Sequence, residues 1–107
     1  MHFPEIIQSY INASNAHDVV SILACFTDDA VVQDESQTMR GKDAIERWLA
    51  STIKKYGFQF SAKDMRTQAG QTVVTIGVSG TFPGSPVTLD YHFALTNDKI
   101  ASLTIDS

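Results

Sequence analysis

The stretch FTDDAVVQD, residues 26–34, decides how the fold of this chain is interpreted. Two acids, Asp28 and Asp29, precede an apolar run, and a third acid, Asp34, closes it. If the apolar run is a β-strand, its side chains alternate between the two faces of a sheet, so Asp34 shares a face with Val32. Two interpretations are then open. Either the strand ends at Asp34 and the acid meets solvent, or Asp34 lines a cavity and takes part in chemistry.

Length and composition restrict the class of protein. A chain of 107 residues, 43% hydrophobic and 19% charged, predicts one globular domain over residues 1–107. The net charge of −4 and the scattered lysines and arginines disfavour a nucleic-acid partner. No apolar run in the sequence is long enough to span a membrane. A single cysteine, Cys25, excludes an internal disulfide, which fits the reducing cytoplasm where we expect the protein.

Apolar residues at helical spacing predict three helices in the first half of the chain. The first stripe covers residues 3–14, the second helix begins after a capping Asp18, and the third ends at Gly57. The mostly polar segment Glu35–Arg40 predicts a loop before the third helix. Two short helices therefore precede the strand that holds Asp34, and a longer helix follows it.

After Gly57 the apolar pattern changes to a period of two, which is typical of strands with one buried face. The strands are separated by segments that favour turns, namely Ala69–Gln71, Pro83–Pro86 and Asn97–Asp98. Strands joined by such short turns predict an antiparallel meander. The predicted order is α-α-β-α-β-β-β-β, an α+β fold in which three helices from the N-terminal half lie against a curved antiparallel sheet.

Four segments, spread along most of the chain, carry a resemblance to a known superfamily. They are YINASNAHD (10–18), LACFTDDAVVQD (23–34), GKDAIERW (41–48) and DYHF (90–93). In this order, and together with the predicted elements, they resemble the nuclear transport factor 2-like superfamily, also called SnoaL-like. Within it, the closest motif resemblance is to ketosteroid isomerase. The resemblance implies a cone of curved sheet and helices that encloses a deep pocket.

The resemblance to ketosteroid isomerase also implies a set of catalytic positions. Asp34 falls on the carboxylate that serves as general base, and Tyr10 on the phenol that donates into the oxyanion hole. The third position in that family is an aspartic acid kept protonated in an apolar site. Here Tyr91 falls on it, whereas the neighbouring Asp90 points to the opposite face of the strand. Because a phenol can also donate a hydrogen bond to an enolate, we expect Asp34, Tyr10 and Tyr91 to form the site.

The activity implied by this resemblance is proton transfer of the isomerase or cyclase type on an apolar carbonyl compound. Burial of Asp34 would raise its pKa, which favours base chemistry near neutral pH. No cofactor is needed for this reaction. We expect five residues to form the walls that bind substrate: Val32, Trp48, Ile76, Val78 and Phe93.

Two alternatives to an enzyme stay open at this point. In one, the same cavity binds a small hydrophobic molecule without acting on it. In the other, the chain is a dimerising domain whose pocket is filled by its own side chains. Tyr10 and Trp48 also suit an ordinary core, because both lie on apolar stripes of predicted helices.

The opposite face of the predicted sheet suggests a second copy of the chain as a partner. This face is small and mostly polar, and it carries Val73, Thr75, Ser79, Asp90, His92, Ala94 and Thr96. A face of this kind is either solvated or paired with a second copy. From it and from the resemblance we expect a homodimer through this outer sheet face.

The histidines do not predict a metal site. The chain has three, His2, His17 and His92, and they lack the spacing that metal ligands usually show. His92, on the outer face beside Asp90, is better explained by the sheet surface or by a dimer contact. We therefore expect neither a metal nor another cofactor.

Overall fold

The structure is a computed structural model, and it describes residues 3–107. The described residues form three helices and six strands, so the predicted α+β class is confirmed. The elements are, in chain order, α1 (Glu5–Asn15), α2 (Val19–Ala24), β1 (Phe26–Asp34), β2 (Gln37–Arg40), α3 (Gly41–Tyr56), β3 (Gln59–Gln68), β4 (Gln71–Ser79), β5 (Val87–Thr96) and β6 (Lys99–Asp106). No helix within residues 3–107 is long and apolar enough to cross a membrane.

The predicted helix boundaries have clear local causes. Asp18 caps α2, because its side chain accepts a hydrogen bond from the Ser21 N–H at 3.2 Å. Gly57 ends α3 in the left-handed conformation, with φ of 54°, and its N–H donates to the Ile53 carbonyl at 2.9 Å. A residue with a Cβ would be strained there, which explains why glycine stands at this position.

The six strands form one curved, unclosed sheet in the order β2-β1-β6-β5-β4-β3. Strands β3 to β6 form the predicted antiparallel meander. The pairing of β1 with β6, however, is parallel, which differs from the prediction of a purely antiparallel sheet. The local pattern of β1 could not indicate this, because the pairing joins two strands from opposite ends of the chain.

The segment predicted as a loop between β1 and α3 contains an additional strand. Gln37–Arg40 is strand β2, which pairs with β1 in a hairpin that joins Asp34 to Gln37. The two turn residues, Glu35 and Ser36, have positive φ values of 51° and 65°. Two-residue hairpins need such values but normally use Asn-Gly or similar pairs, so the Glu-Ser sequence gave no turn signal.

Strand β3 lies at one open edge of the sheet. Its pairing with β4 is interrupted between Ala62 and Asp64 by a bulge. The residues around the bulge include exposed charged side chains, at Lys63, Asp64 and Arg66. Charges and bulges of this kind are common on edge strands.

The hydrophobic core lies between the helices and the inner face of the sheet. Its fully buried members come from both layers and include Ile7, Ile22, Ile45, Val32, Val74, Ile76, Phe93 and Leu103. Each such side chain contributes about 1.5–3 kcal/mol when it leaves water. Part of the space between the helices and the sheet is left as a cavity.

Candidate functional site

A cavity of about 660 Å³ opens between α1, α3 and the inner face of the sheet. Aromatic and aliphatic side chains form most of its wall, and the polar groups among them are few. The aromatic lining residues are Tyr10, Trp48, Tyr56, Phe58, Phe60, Phe82 and Tyr91. This volume and this kind of lining are typical of sites for small organic molecules.

The structure brings most of the predicted site residues together. Those that line the cavity are Tyr10, Asp34, Trp48, Val78 and Tyr91. Those that do not line it are Val32, Ile76 and Phe93. These last three have no exposed surface and lie deeper, in the core. Phe93 does not reach the cavity because the Tyr10 ring packs edge-on against it, with the ring centroids 5.5 Å apart.

Asp34 ends β1 with its carboxylate half-buried at the cavity wall. The Trp48 indole N–H donates a hydrogen bond to Asp34 Oδ2 at 3.1 Å. Within residues 3–107 no lysine, arginine or histidine forms an ion pair with it. Burial raises the pKa of Asp34, the Trp48 hydrogen bond acts in the opposite direction, and the nearby Glu35 charge raises the pKa further. A carboxylate in this setting takes up a proton more readily than one in water.

Tyr10 and Tyr91 present buried phenols to the same cavity, and they are only 1% and 4% exposed. Burial is the main cause that raises the pKa of Tyr10, opposed by a hydrogen bond with Ser14. Burial also raises the pKa of Tyr91, and Tyr10 and the Asp34 carboxylate raise it further. Both phenols therefore keep their protons at neutral pH and are able to donate hydrogen bonds.

Two features of the cavity wall were not predicted from the sequence, namely the hydrogen bond from Trp48 to Asp34 and the side chains near the surface. The hydrogen bond could have been anticipated, because a partly buried indole N–H needs an acceptor. At the opening, the Tyr56 hydroxyl donates to Glu35 Oε1 at 2.9 Å. The ring of Phe82, from the β4–β5 connection, packs edge-on against Tyr56 with centroids 5.4 Å apart. No local pattern in the sequence indicated that this connection would reach the cavity.

One cluster on the outer sheet face has the chemistry of metal ligands. Within residues 3–107, Asp90, His92 and Asp106 offer ligand atoms that all lie within 4.8 Å of one another. His92 Nε2 is 3.1 Å from Asp106 Oδ1, and Arg66 is 3.2 Å from Asp90 Oδ2. The Arg66 guanidinium thus already compensates Asp90 without a metal ion. Another histidine of the chain, His2, lies outside the described residues.

A family model described as a SnoaL-like domain matches residues 7–103. The chain belongs to the SnoaL-like domain family. A proposed polyketide cyclase from Sinorhizobium meliloti shares this fold with a TM-score of 0.93 and is 35% identical to our SnoaL-like domain. That alignment covers 97% of this chain and 95% of the other.

More distant structures share the fold of this SnoaL-like domain, which lies within the nuclear transport factor 2-like superfamily. One is a hypothetical protein with a ketosteroid isomerase-like fold from Catenulispora acidiphila, in complex with trimethylamine. It is 17% identical with a TM-score of 0.85, and the alignment covers 99% of this chain and 87% of that one. Another, an epoxide hydrolase/cyclase-like enzyme that acts in pyran ring formation in salinomycin, is 19% identical with a TM-score of 0.84 and coverages of 95% and 87%.

Proposed function

We propose that this SnoaL-like domain catalyses cofactor-free proton transfer on an apolar carbonyl compound, with Asp34 as the base. One observation carries the proposal above the others. Among residues 3–107, the half-buried Asp34 carboxylate has no cationic partner, and it lies in the wall of an aromatic cavity that also holds two protonated phenols. Burial keeps the pKa of this carboxyl above its usual range, which improves it as a base for a weakly acidic C–H group.

The reaction begins when Asp34 removes a proton from the carbon next to the substrate carbonyl. The electron pair of the broken C–H bond moves to the carbonyl oxygen, and an enolate forms. Tyr10 and Tyr91 donate hydrogen bonds to that oxygen, where the negative charge develops. The Trp48 N–H holds the Asp34 carboxylate in place while it receives the proton.

The enolate can then follow one of two routes. In an isomerase, Asp34 returns the proton to a different carbon of the same molecule. In a cyclase, the enolate carbon forms a bond to a second carbonyl carbon, and that carbonyl oxygen takes up the proton. The resemblance to a proposed polyketide cyclase at 35% identity supports the second route.

The proposal is tested by replacing Asp34 with asparagine, which keeps the size of the side chain and removes the base. The probe is a ketosteroid with an unconjugated double bond, whose isomerisation is followed by ultraviolet absorbance. We expect Asp34→Asn to lower kcat by about 10²–10⁴-fold, the usual contribution of a positioned base. The matched control is Asp29→Asn, because Asp29 is an exposed acid on the same strand.

An unchanged kcat for Asp34→Asn on a substrate that the wild type converts would refute the assignment of the base. Equal losses for Asp34→Asn and Asp29→Asn would point to a general effect of charge instead. A panel of cyclisable diketones tests the cyclase route with the same pair of variants.

The second candidate function is binding of a small hydrophobic ligand without catalysis. It is supported by the predominantly aromatic cavity wall and by the complex of a structural relative with trimethylamine. Titration of Asp34 separates the two functions, because a base adapted for catalysis needs a shifted pKa. A pKa equal to that of a model peptide, together with tight binding of a polycyclic phenol, would favour the binding function.

We also propose that the chain forms a homodimer through its outer sheet face, in the cytoplasm. The polar side chains of this face form their own network, in which Arg66 and Thr75 both bind Asp90. The single buried thiol of Cys25 is consistent with a reducing compartment. A monomeric mass in analytical ultracentrifugation at micromolar concentration would contradict the dimer.

A further inference from the structure

A second, smaller space lies on the outer side of α3, between this helix and the β1–β2 hairpin. We call it the outer cleft, and its volume is about 360 Å³. Its wall is more polar than that of the cavity. The lining residues are Glu35, Gln37, Met39, Ala44, Arg47, Trp48, Ser51, Thr52, Lys55 and Tyr56.

The outer cleft and the cavity are neighbours separated by a single layer of side chains. The residues that line both spaces are Glu35, Trp48, Thr52, Lys55 and Tyr56. At the surface this layer is joined by the hydrogen bond from the Tyr56 hydroxyl to Glu35, which is exposed. An exposed hydrogen bond exchanges readily with water. We expect rotation of these two side chains to open a connection between the spaces.

Two cationic side chains, Arg47 and Lys55, lie along the outer cleft. They belong to the same helix, and within residues 3–107 neither forms an ion pair with an acid. One acid, Glu35, also lines the cleft, so its cations outnumber its acids by one. The cleft thus has an excess of positive charge in a protein whose net charge is −4. A guanidinium without a partner is well suited to bind a carboxylate through two parallel hydrogen bonds.

We propose that the ligand is a carboxylic acid with a large apolar body, and that the outer cleft binds its carboxylate. The apolar body and the reacting carbonyl occupy the cavity, while the carboxylate passes between Tyr56 and Glu35 to meet Arg47 and Lys55. This inference rests on the proposed function, since it names the class of substrate for the same site. It assigns recognition of the acid to Arg47, which lines the outer cleft and not the cavity.

The test compares a steroid ketone that carries a side-chain carboxylate with its methyl ester. The two probes share the apolar body and differ in the charge that the outer cleft would bind. Calorimetry gives the dissociation constant of each, and the ratio of the two is the preference for the acid. We expect the wild type to prefer the acid by about tenfold, and Arg47→Gln to abolish that preference.

The matched control is Lys54→Gln. Lys54 lies on the same helix, is exposed, and lines neither space. Its replacement removes one positive charge, as Arg47→Gln does, so any long-range effect of charge is the same in both variants. We expect Lys54→Gln to keep the preference for the acid.

A further variant, Tyr56→Phe, tests the path between the two spaces. It removes the hydroxyl that binds Glu35 and keeps the ring that packs against Phe82. We expect faster association of the acid in stopped-flow measurements, because the connection no longer requires a hydrogen bond to break.

The proposal is overturned if the wild type binds the acid no more tightly than the ester. It is also overturned if Arg47→Gln and Lys54→Gln change the preference equally. Neither result bears on catalysis, because turnover of the neutral ester depends on Asp34. Conversely, loss of the base assignment would leave the measured preference for the acid intact.

Discussion

Two aspartates on opposite faces of the same sheet have pKa values shifted in opposite directions. Asp34, at the cavity, accepts a hydrogen bond from a neutral indole, and burial raises its pKa. Asp90, on the outer face, accepts from the Thr75 hydroxyl at 2.7 Å and from Arg66 at 3.2 Å. The Thr75 hydrogen bond is the main cause that lowers the pKa of Asp90, and the Arg66 charge adds to it.

The difference lies in burial and in the partners, because burial is the main cause that raises the pKa of Asp34, whereas a hydroxyl and a cation lower that of Asp90. A cation and a hydroxyl stabilise the charged form of Asp90, so this acid holds neighbouring strands together and has little tendency to take up a proton. Asp34 lacks a cation among the described residues, so its charged form is less stable and more basic. The reactivity of a carboxylate in this fold thus depends on whether it is buried and whether a cation lies beside it.

The largest expected effect that tests this contrast concerns the phenols of the inner face. We expect Tyr10→Phe and Tyr91→Phe each to lower kcat by about 10²-fold, because each removes a donor to the developing enolate. Thr75→Val is the control on the outer face, where a donor to Asp90 is removed. Steady-state rates on the ketosteroid probe measure all three. A loss in Thr75→Val as large as in the tyrosine variants would break the contrast between the faces.

A smaller effect is expected from Trp48→Phe, which removes the N–H that binds Asp34. That hydrogen bond lowers the pKa of Asp34, so its loss raises the pKa. Since the base acts in its ionised form, the acidic limb of the pH–rate profile should move to higher pH. At pH values well above the limb the variant should approach the wild type. A limb that moves to lower pH would contradict the role given to Trp48.

The smallest effect is expected in the free energy of unfolding. The contributions of the two aspartates to it should change with pH in opposite directions. The raised pKa of Asp34 means that the folded state binds more protons, so stability falls as pH rises from the unfolded towards the folded pKa. The lowered pKa of Asp90 means that its contribution is present above the unfolded pKa and is lost as pH falls through the folded one.

At pH 7, Asp34→Asn should therefore increase the free energy of unfolding, and Asp90→Asn should decrease it. Urea denaturation followed by circular dichroism measures both variants against the wild type. If both substitutions change the free energy in the same direction, the two carboxylates do not differ in the way proposed.

The sequence predicted the fold well wherever local chemistry sets the structure. The cap at Asp18 and the left-handed glycine at Gly57 depend on neighbouring residues, and both predictions are confirmed. Strand β2 was missed because its turn at Glu35 and Ser36 lacks the residues that normally adopt positive φ. The parallel pairing of β1 with β6 depends on the path of the whole chain. Neither feature leaves a pattern within a short window of sequence.

The candidate site was predicted in part for a related reason. Strand alternation tells which face of a sheet a residue occupies, and Ile76 and Val78 do lie on the same face of β4. It does not tell how deep each lies, and only Val78 reaches the cavity, while Ile76 is fully buried. The position of Phe82 at the opening depends on the conformation of the β4–β5 connection, which alternation does not describe.

The two open edges of the sheet have a consequence for how this protein behaves at high concentration. Strand β2 has only four residues, and β3 carries a bulge between Ala62 and Asp64 and the charges of Lys63 and Arg66. Neither edge offers a long, flat row of free amides onto which a foreign strand could add. We therefore expect the folded chain to resist edge-to-edge strand addition, even though its sheet stays open on both sides of the cavity.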